Sequence, residues 1–272
     1  MNQLPKIVTF DGEARSGKGT IVQFTKDYIR DTLHKKVMLI DLGQVFRVLV
    51  VEIQRAEVDI NDPDAIDAYL SDEASAEHAV QFVKEVYHMS KDERDAILYT
   101  NEVSADSAKV GARALSQEFK DSLLRKWMQD ARVEGFEVVL LDGRALEETG
   151  DMLVSHGLCE FVLGLYFVCN PVVGARRTLG YAHAPYDELD SEQQAAVDLL
   201  VEQINERNDK DRVRAVQPVV PPAGAPVWNL PDNAPAASPS TARPMYVVDT
   251  SAEMSKDAMS HPVATRVGES LD

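Results

Sequence analysis

Lys6-Ile7-Val8-Thr9-Phe10-Asp11-Gly12-Glu13-Ala14-Arg15-Ser16-Gly17-Lys18-Gly19-Thr20 is the stretch on which the reading of the chain turns. Ile7, Val8 and Phe10 form a short apolar run of the kind buried in a parallel sheet. The run breaks at Gly12 into a loop that closes on Gly17-Lys18-Gly19-Thr20, and a helical pattern follows. Glycines at both ends let backbone N–H groups turn inward around an anion, and the helix aims its positive end at the same point. Strand, loop and helix in this order fit a phosphate chain, with Gly12, Arg15, Ser16, Gly17, Lys18, Gly19 and Thr20 as the candidate contacts. The strict phosphate-loop pattern has Ser or Thr directly after the lysine, and here Gly19 intervenes. A metal-side hydroxyl then comes from Thr20 or Ser16, or the metal is held by water and phosphate oxygens without direct ligation by the protein.

Outward from the loop, Ile21, Phe24, Ile29 and Leu33 continue at helical spacing. Val37-Met38-Leu39-Ile40 is a second buried strand ending at Asp41, and Val45, Phe46, Leu49, Val50 and Ile53 follow on an amphipathic helix that carries Arg47. Residues from about Asn61 to Asp95 are acidic and helical in pattern and read as an inserted lobe, with Ile97-Leu98-Tyr99-Thr100 as a small strand of it, and Val103 to Met128 returns to helix. Phe136 to Arg144 contains a third strong strand ending at Asp142, Phe161–Val168 is a fourth, and Met245–Asp249 a fifth. Strands separated by helices predict an α/β fold with a five-stranded parallel sheet whose ligand crevice lies beyond the strand carboxyl ends, where Asp11, Asp41 and Asp142 gather. Asn170-Pro171 opens a helix with Arg176 and Arg177, and Ser191 to Val216 reads as one long helix. The Pro- and Ala-rich stretch 217–244 reads as an extended loop or disordered insertion rather than packed structure, and 261–272 as a mobile tail.

The whole chain sets limits on its partners. With 272 residues, 44% of them hydrophobic, it is long enough for one domain with insertions. A formal charge of −17 repels polynucleotides and anionic membranes, so neither is an expected partner. A small phosphorylated ligand is the better expectation. Cys159 and Cys169 read as buried, reduced thiols in a cytoplasmic protein, and no stretch approaches the ~20 apolar residues of a membrane span. A monomer is favoured.

Two further sites have the chemistry for phosphate. On one helix Arg207, Asp211 and Arg214 fall at i, i+4 and i+7, where two guanidiniums around a carboxylate can clamp phosphate oxygens and a ribose hydroxyl. Asp142-Gly143-Arg144 ends a strand, where the carboxylate can hold Mg²⁺ through water and the arginine can neutralise a transferred phosphoryl group. Arg176 and Arg177 are placed to close a lid over donor phosphates.

Gly-Lys-Gly-Thr is the form associated with adenylate kinases. Together with Asp41 and Arg47, Asn101-Glu102-Val103-Ser104, Val139 to Arg144, Glu206 through Pro218, and Val247-Val248-Asp249-Thr250-Ser251, the chain resembles the cytidylate kinase family of P-loop nucleoside monophosphate kinases. The resemblance implies transfer of the γ-phosphate of ATP, with Mg²⁺, to CMP or dCMP. It implies a monophosphate-binding insertion at 59–104 and a lid and acceptor clamp at 172–214. It also implies acceptor-phosphate contacts from Arg47, Arg144 and Arg214, and ribose contacts from Arg207 and Asp211. The family's base readers are replaced here by Leu42 and Ala145, and near Ala108 and Gln117, unless a small shift in alignment brings in Ser107 or Arg113. The alternatives are a kinase of the same frame acting on another small acceptor, and an inactive nucleotide-binding regulator.

Overall fold

The computed structural model describes residues 3–214, 217–238 and 243–272. The chain divides into two compact units, Asp41–Asp130 and the remainder, Met1–Ile40 with Ala131–Asp272.

The remainder is built on a sheet of six strands. They are β1 (Lys6–Gly12), β2 (Val37–Asp41), β3 (Val138–Asp142), β4 (Glu160–Val168), β5 (Val227–Asn229) and β6 (Met245–Asp249), in spatial order β2-β3-β1-β4-β6-β5. Each pair with a described register is parallel, and β1 lies between β3 and β4 with Phe10 opposite both Asp142 and Leu165. Ile7, Val8, Phe10, Leu140, Leu163 and Phe167 are sealed from solvent, because a parallel sheet covered on both faces needs apolar side chains on both faces. The sheet has one strand more than the periodicity predicts. Val227-Trp228-Asn229 is only three residues long and flanked by prolines, so it gives no alternating pattern, yet it pairs with β6 and buries Trp228 against Tyr246. Val227–Asn229 therefore anchors the described residues around it to the sheet.

Helices α1 (Lys18–Asp31) and, at the carboxyl end, Lys256–Ser270 pack on one another and on the sheet. The expectation of a mobile tail from 261 is corrected by this last helix. Val263, Ala264, Val267 and Leu271 are buried, and the Lys6 ammonium donates to the Leu271 carbonyl at 2.6 Å. Its polar-looking sequence hid the apolar stripe, and Pro262 falls inside the helix, where a proline ordinarily argues for an end.

The Asp41–Asp130 unit holds α2 (Leu42–Arg55), α3 (Pro63–Ser71), α4 (Glu73–His88), α5 (Lys91–Leu98), α6 (Asn101–Gly111) and most of α7 (Ala114–Val133). It begins earlier and ends later than 59–104, because α2 and α7 supply half of its core through Val45, Leu49, Ile53 and Leu123. No strand forms at Ile97–Thr100. Leu98 ends α5, Tyr99 follows as its cap, and the Thr100 hydroxyl accepts from Val103 N–H to start α6.

After β3 come α8 (Leu146–Ser155), α9 (Pro171–Thr178) and α10 (Ser191–Arg212), with α11 naming the final helix. Ala175, Leu189, Val197 and Ile204 form a small core of their own within 172–214. α10 stops at Arg212, short of the expected Val216; Ala215 and Val216 lie outside the described residues.

Two measurements check these features. Leu271→Ala should lower the unfolding free energy by about 2–3 kcal/mol in urea titration, the cost of emptying a buried leucine site, whereas a mobile tail would give no change. Burial pushes the Cys159 thiol up to about 12, and raises Cys169 as well. Both thiols should resist a disulfide reagent at pH 8 in the native protein and react at once in denaturant.

Candidate active site

The phosphate loop leaves β1 through a contact that only glycine permits. A Cβ on Gly12, at φ 127°, would lie 2.2 Å from the Phe167 carbonyl oxygen, and Gly17 caps α1 in the left-handed region at φ 81°. Between them Arg15 also sits at φ 59°, a strained conformation for a residue with a side chain. The loop is held from within by the Ser16 hydroxyl, which donates to the Glu13 carbonyl at 3.0 Å, and from outside by the Thr250 hydroxyl, which donates to the Ser16 carbonyl at 2.8 Å. Thr250, at the end of β6, is fully buried.

Lys18 begins α1 and turns back over the loop. Its ammonium pairs with Asp142 and donates to the carbonyls of Gly143 at 2.8 Å and Phe10 at 3.3 Å. The lysine thus joins the carboxyl ends of β1 and β3, which the sheet order makes neighbours. The turn after Asp142 is also strained, with Ala145 at φ 55° just before α8. Asp11 fastens that turn by accepting from Leu146 N–H at 2.7 Å. Desolvation pushes the Asp11 carboxyl up, against the opposing pull of its amide donors and of Lys18.

Arg144 pairs with Asp211, and so does Arg214. The three come together, but not along one helical face. Arg214 lies beyond the end of α10 and folds back onto the buried Asp211, while Arg207 is exposed one turn earlier. Two guanidiniums on one carboxylate leave a surplus positive charge, the correct sign for a phosphate. Burial is the main cause pulling the Arg214 guanidinium down, and the nearby Arg144 adds to it.

Arg176 and Arg177 project from α9 toward the segment after β6. Arg176 is buried, pairs with Glu253 at 2.6 Å and faces the carbonyls of Tyr181 and Ala182. Arg177 donates to the Ala252 carbonyl at 2.6 Å and lies 3.9 Å from the Met259 sulfur, and Met259 packs against Gly17.

In the Asp41–Asp130 unit, Asp41 caps α2 by accepting from Gln44 N–H and also accepts from the Tyr99 hydroxyl at 2.9 Å. The Arg47 guanidinium stacks on the Tyr99 ring, 4.5 Å from its centre. Burial first, and the Asp41 charge second, push the Tyr99 phenol up. Leu42 is buried; Arg113 pairs with Asp67, the Ser107 hydroxyl donates to the Ser104 carbonyl, and Gln117 donates to the Gly111 carbonyl. Sequence reasoning gave Tyr99, Asn208, Arg212 and Thr250 no role of their own, whereas it did place Asp11, with Asp41 and Asp142, at the strand carboxyl ends.

Comparison with known proteins agrees with this construction. The cytidylate kinase family model matches residues 8–229. The chain is similar to the cytidylate kinase of Shewanella amazonensis, 26% identical over 225 residues that cover 81% of this chain and 85% of the relative. It is similar to that of Erwinia tasmaniensis at 25% identity over 83% of this chain and 88% of the relative. The cytidylate kinase of Protochlamydia amoebophila matches at 25% over 78% and 84% respectively. A phosphate loop whose lysine meets the end of the neighbouring strand, arginines gathered on one carboxylate and a match over most of the length lead to one statement: the chain is a nucleoside monophosphate kinase belonging to the cytidylate kinase family.

Proposed function

We propose that the enzyme phosphorylates CMP or dCMP with ATP, giving the diphosphate and ADP. The observation that carries this reading is the pairing of Arg144 and Arg214 on Asp211 in the same unit as the Lys18 loop, a cationic cluster beyond that of the loop itself. In this reading Lys18 and the loop amides hold the donor β- and γ-phosphates. Lys18 exchanges its carbonyl partners for phosphate oxygens, and Asp142 keeps its ammonium in place. Arg144 and Arg214 bind the acceptor phosphate, and within the Asp41–Asp130 unit Arg47, whose guanidinium lies over the Tyr99 ring, is a separate candidate phosphate contact. Arg207 and Asp211 serve the acceptor ribose, and Arg177 the donor side. An acceptor phosphate oxygen attacks the γ-phosphorus in line as the bond to the β-bridging oxygen breaks. The nucleophile is already anionic at neutral pH, so no general base is needed.

The loop suits Mg²⁺ carried in by the phosphates. Ser16 is buried with its hydroxyl donating to Glu13, so Thr20, exposed in the first turn of α1, is the hydroxyl left to meet a hydrated cation. When bound, the ion spreads the negative charge of the transferred group.

A second reading, a different small acceptor, is favoured by the base-facing positions. Leu42 is buried and apolar, and the Ala145 side chain has no hydrogen-bonding group. Ala145 already holds a left-handed backbone, which Asp tolerates better than Ala, so Ala145→Asp adds no strain.

A coupled assay over CMP, dCMP, UMP and AMP should show turnover highest with CMP or dCMP. Turnover with none of them would favour a nucleotide-binding regulator. Arg144→Ala should lower kcat/KM by about 100- to 1,000-fold, as expected for a group acting on transition-state charge. Leu42→Ser with Ala145→Asp should raise kcat/KM for CMP about tenfold or more if the base site has drifted from cytosine, and leave it level if it has not.

A further inference from the structure

The phosphate loop carries an acid. Glu13 directly follows Gly12, and a carboxylate in a loop shaped for polyphosphate repels the ligand it should receive. Its side chain is 13% exposed and accepts from Arg212 Nη2 at 2.5 Å. Arg212 ends α10, which is remote from the loop in sequence, and it also pairs with Asp209 at 3.0 Å. One turn earlier on the same helix, the buried Asn208 accepts through its amide oxygen from Ala14 N–H at 2.9 Å. One face of α10 therefore grips two successive residues of the loop, one through its charge and one through its backbone.

We infer that Arg212 is a charge-masking, positioning residue for the donor nucleotide: its guanidinium neutralises Glu13 so that the loop accepts a triphosphate, while Asn208 fixes the adjoining backbone. The inference rests on the reading above that the loop binds ATP. It assigns Arg212 no contact with substrate, which separates it from Lys18, Arg144 and Arg214. Removing Arg212 alone leaves a bare carboxylate beside the triphosphate, and removing both charges removes the conflict.

The test is equilibrium titration of a fluorescent ATP analogue with Mg²⁺, alongside steady-state kinetics with CMP, for wild type, R212A, R212K, E13Q and E13Q with R212A. R212A should weaken nucleotide binding and raise the ATP KM about tenfold, with the CMP KM unchanged, and R212K should recover most of the loss. The double variant should return to within about threefold of wild type, a recovery that a merely loosened fold would not give. E13Q alone should bind at least as tightly as wild type, so the inference is testable even if R212A does not fold. Weaker binding by E13Q, an unchanged ATP KM in R212A, or no recovery in the double variant overturns it. Wild type that binds no nucleotide overturns the kinase reading as well, a result distinct from one confined to the variants.

Discussion

A half-buried ammonium among three oxygen acceptors organises the centre of the molecule. Lys18 is bound at once by Asp142, Gly143 and Phe10, and so ties the carboxyl end of β1 to that of the adjacent β3 and the turn that follows it. To place its lysine there, the loop must leave β1 against the backbone of β4 and reverse into α1 within a few residues. The first demand excludes any side chain at position 12; the second puts Arg15 and Gly17 at positive φ. Strained backbone of this kind persists only where its surroundings over-determine it, and here the Thr250 hydroxyl and the Asn208 amide supply that restraint.

Charge is distributed to the same purpose. A chain with a formal charge of −17 repels nucleotides over most of its surface, yet Arg144, Arg214 and Lys18 converge on only two carboxylates, Asp211 and Asp142. Cations clustered at one place on a negative surface offer a compact polyanion a local partner and give a long one no continuous track.

Much of this was legible in the sequence, and the failures have physical causes. The long buried strands and the phosphate loop announce themselves, because apolar runs and glycine spacing are local properties. The three-residue β5 does not, since its stability comes from pairing with β6 and from burying Trp228 rather than from its own pattern. α11 failed for a related reason: its buried face is made partly of Ala264, Ser260 and Gly268, small residues that score weakly as apolar but allow close approach to α1. Within the site, Lys18, Asp142, Arg144, Asp211 and Arg214 were identified by residue type and position and do come together. The helical-face argument for Arg214 was replaced by a chain that folds back, because an arginine beyond the helix end is free to seek the buried carboxylate. Tyr99 was hidden as part of an expected strand, and its contact with Arg47 spans the last two turns or so of α2 plus the α3–α5 segment, a separation no periodicity reveals.

The placement of the indoles has a spectroscopic consequence. The chain has two tryptophans: Trp127 packs in the core of the Asp41–Asp130 unit, and Trp228 is sealed in the sheet unit with its N–H donating to the Asp232 carbonyl at 2.7 Å. Each unit therefore carries one indole. Exchanging either for phenylalanine leaves a single tryptophan whose emission, excited selectively at the red edge, follows one unit at a time without an added label.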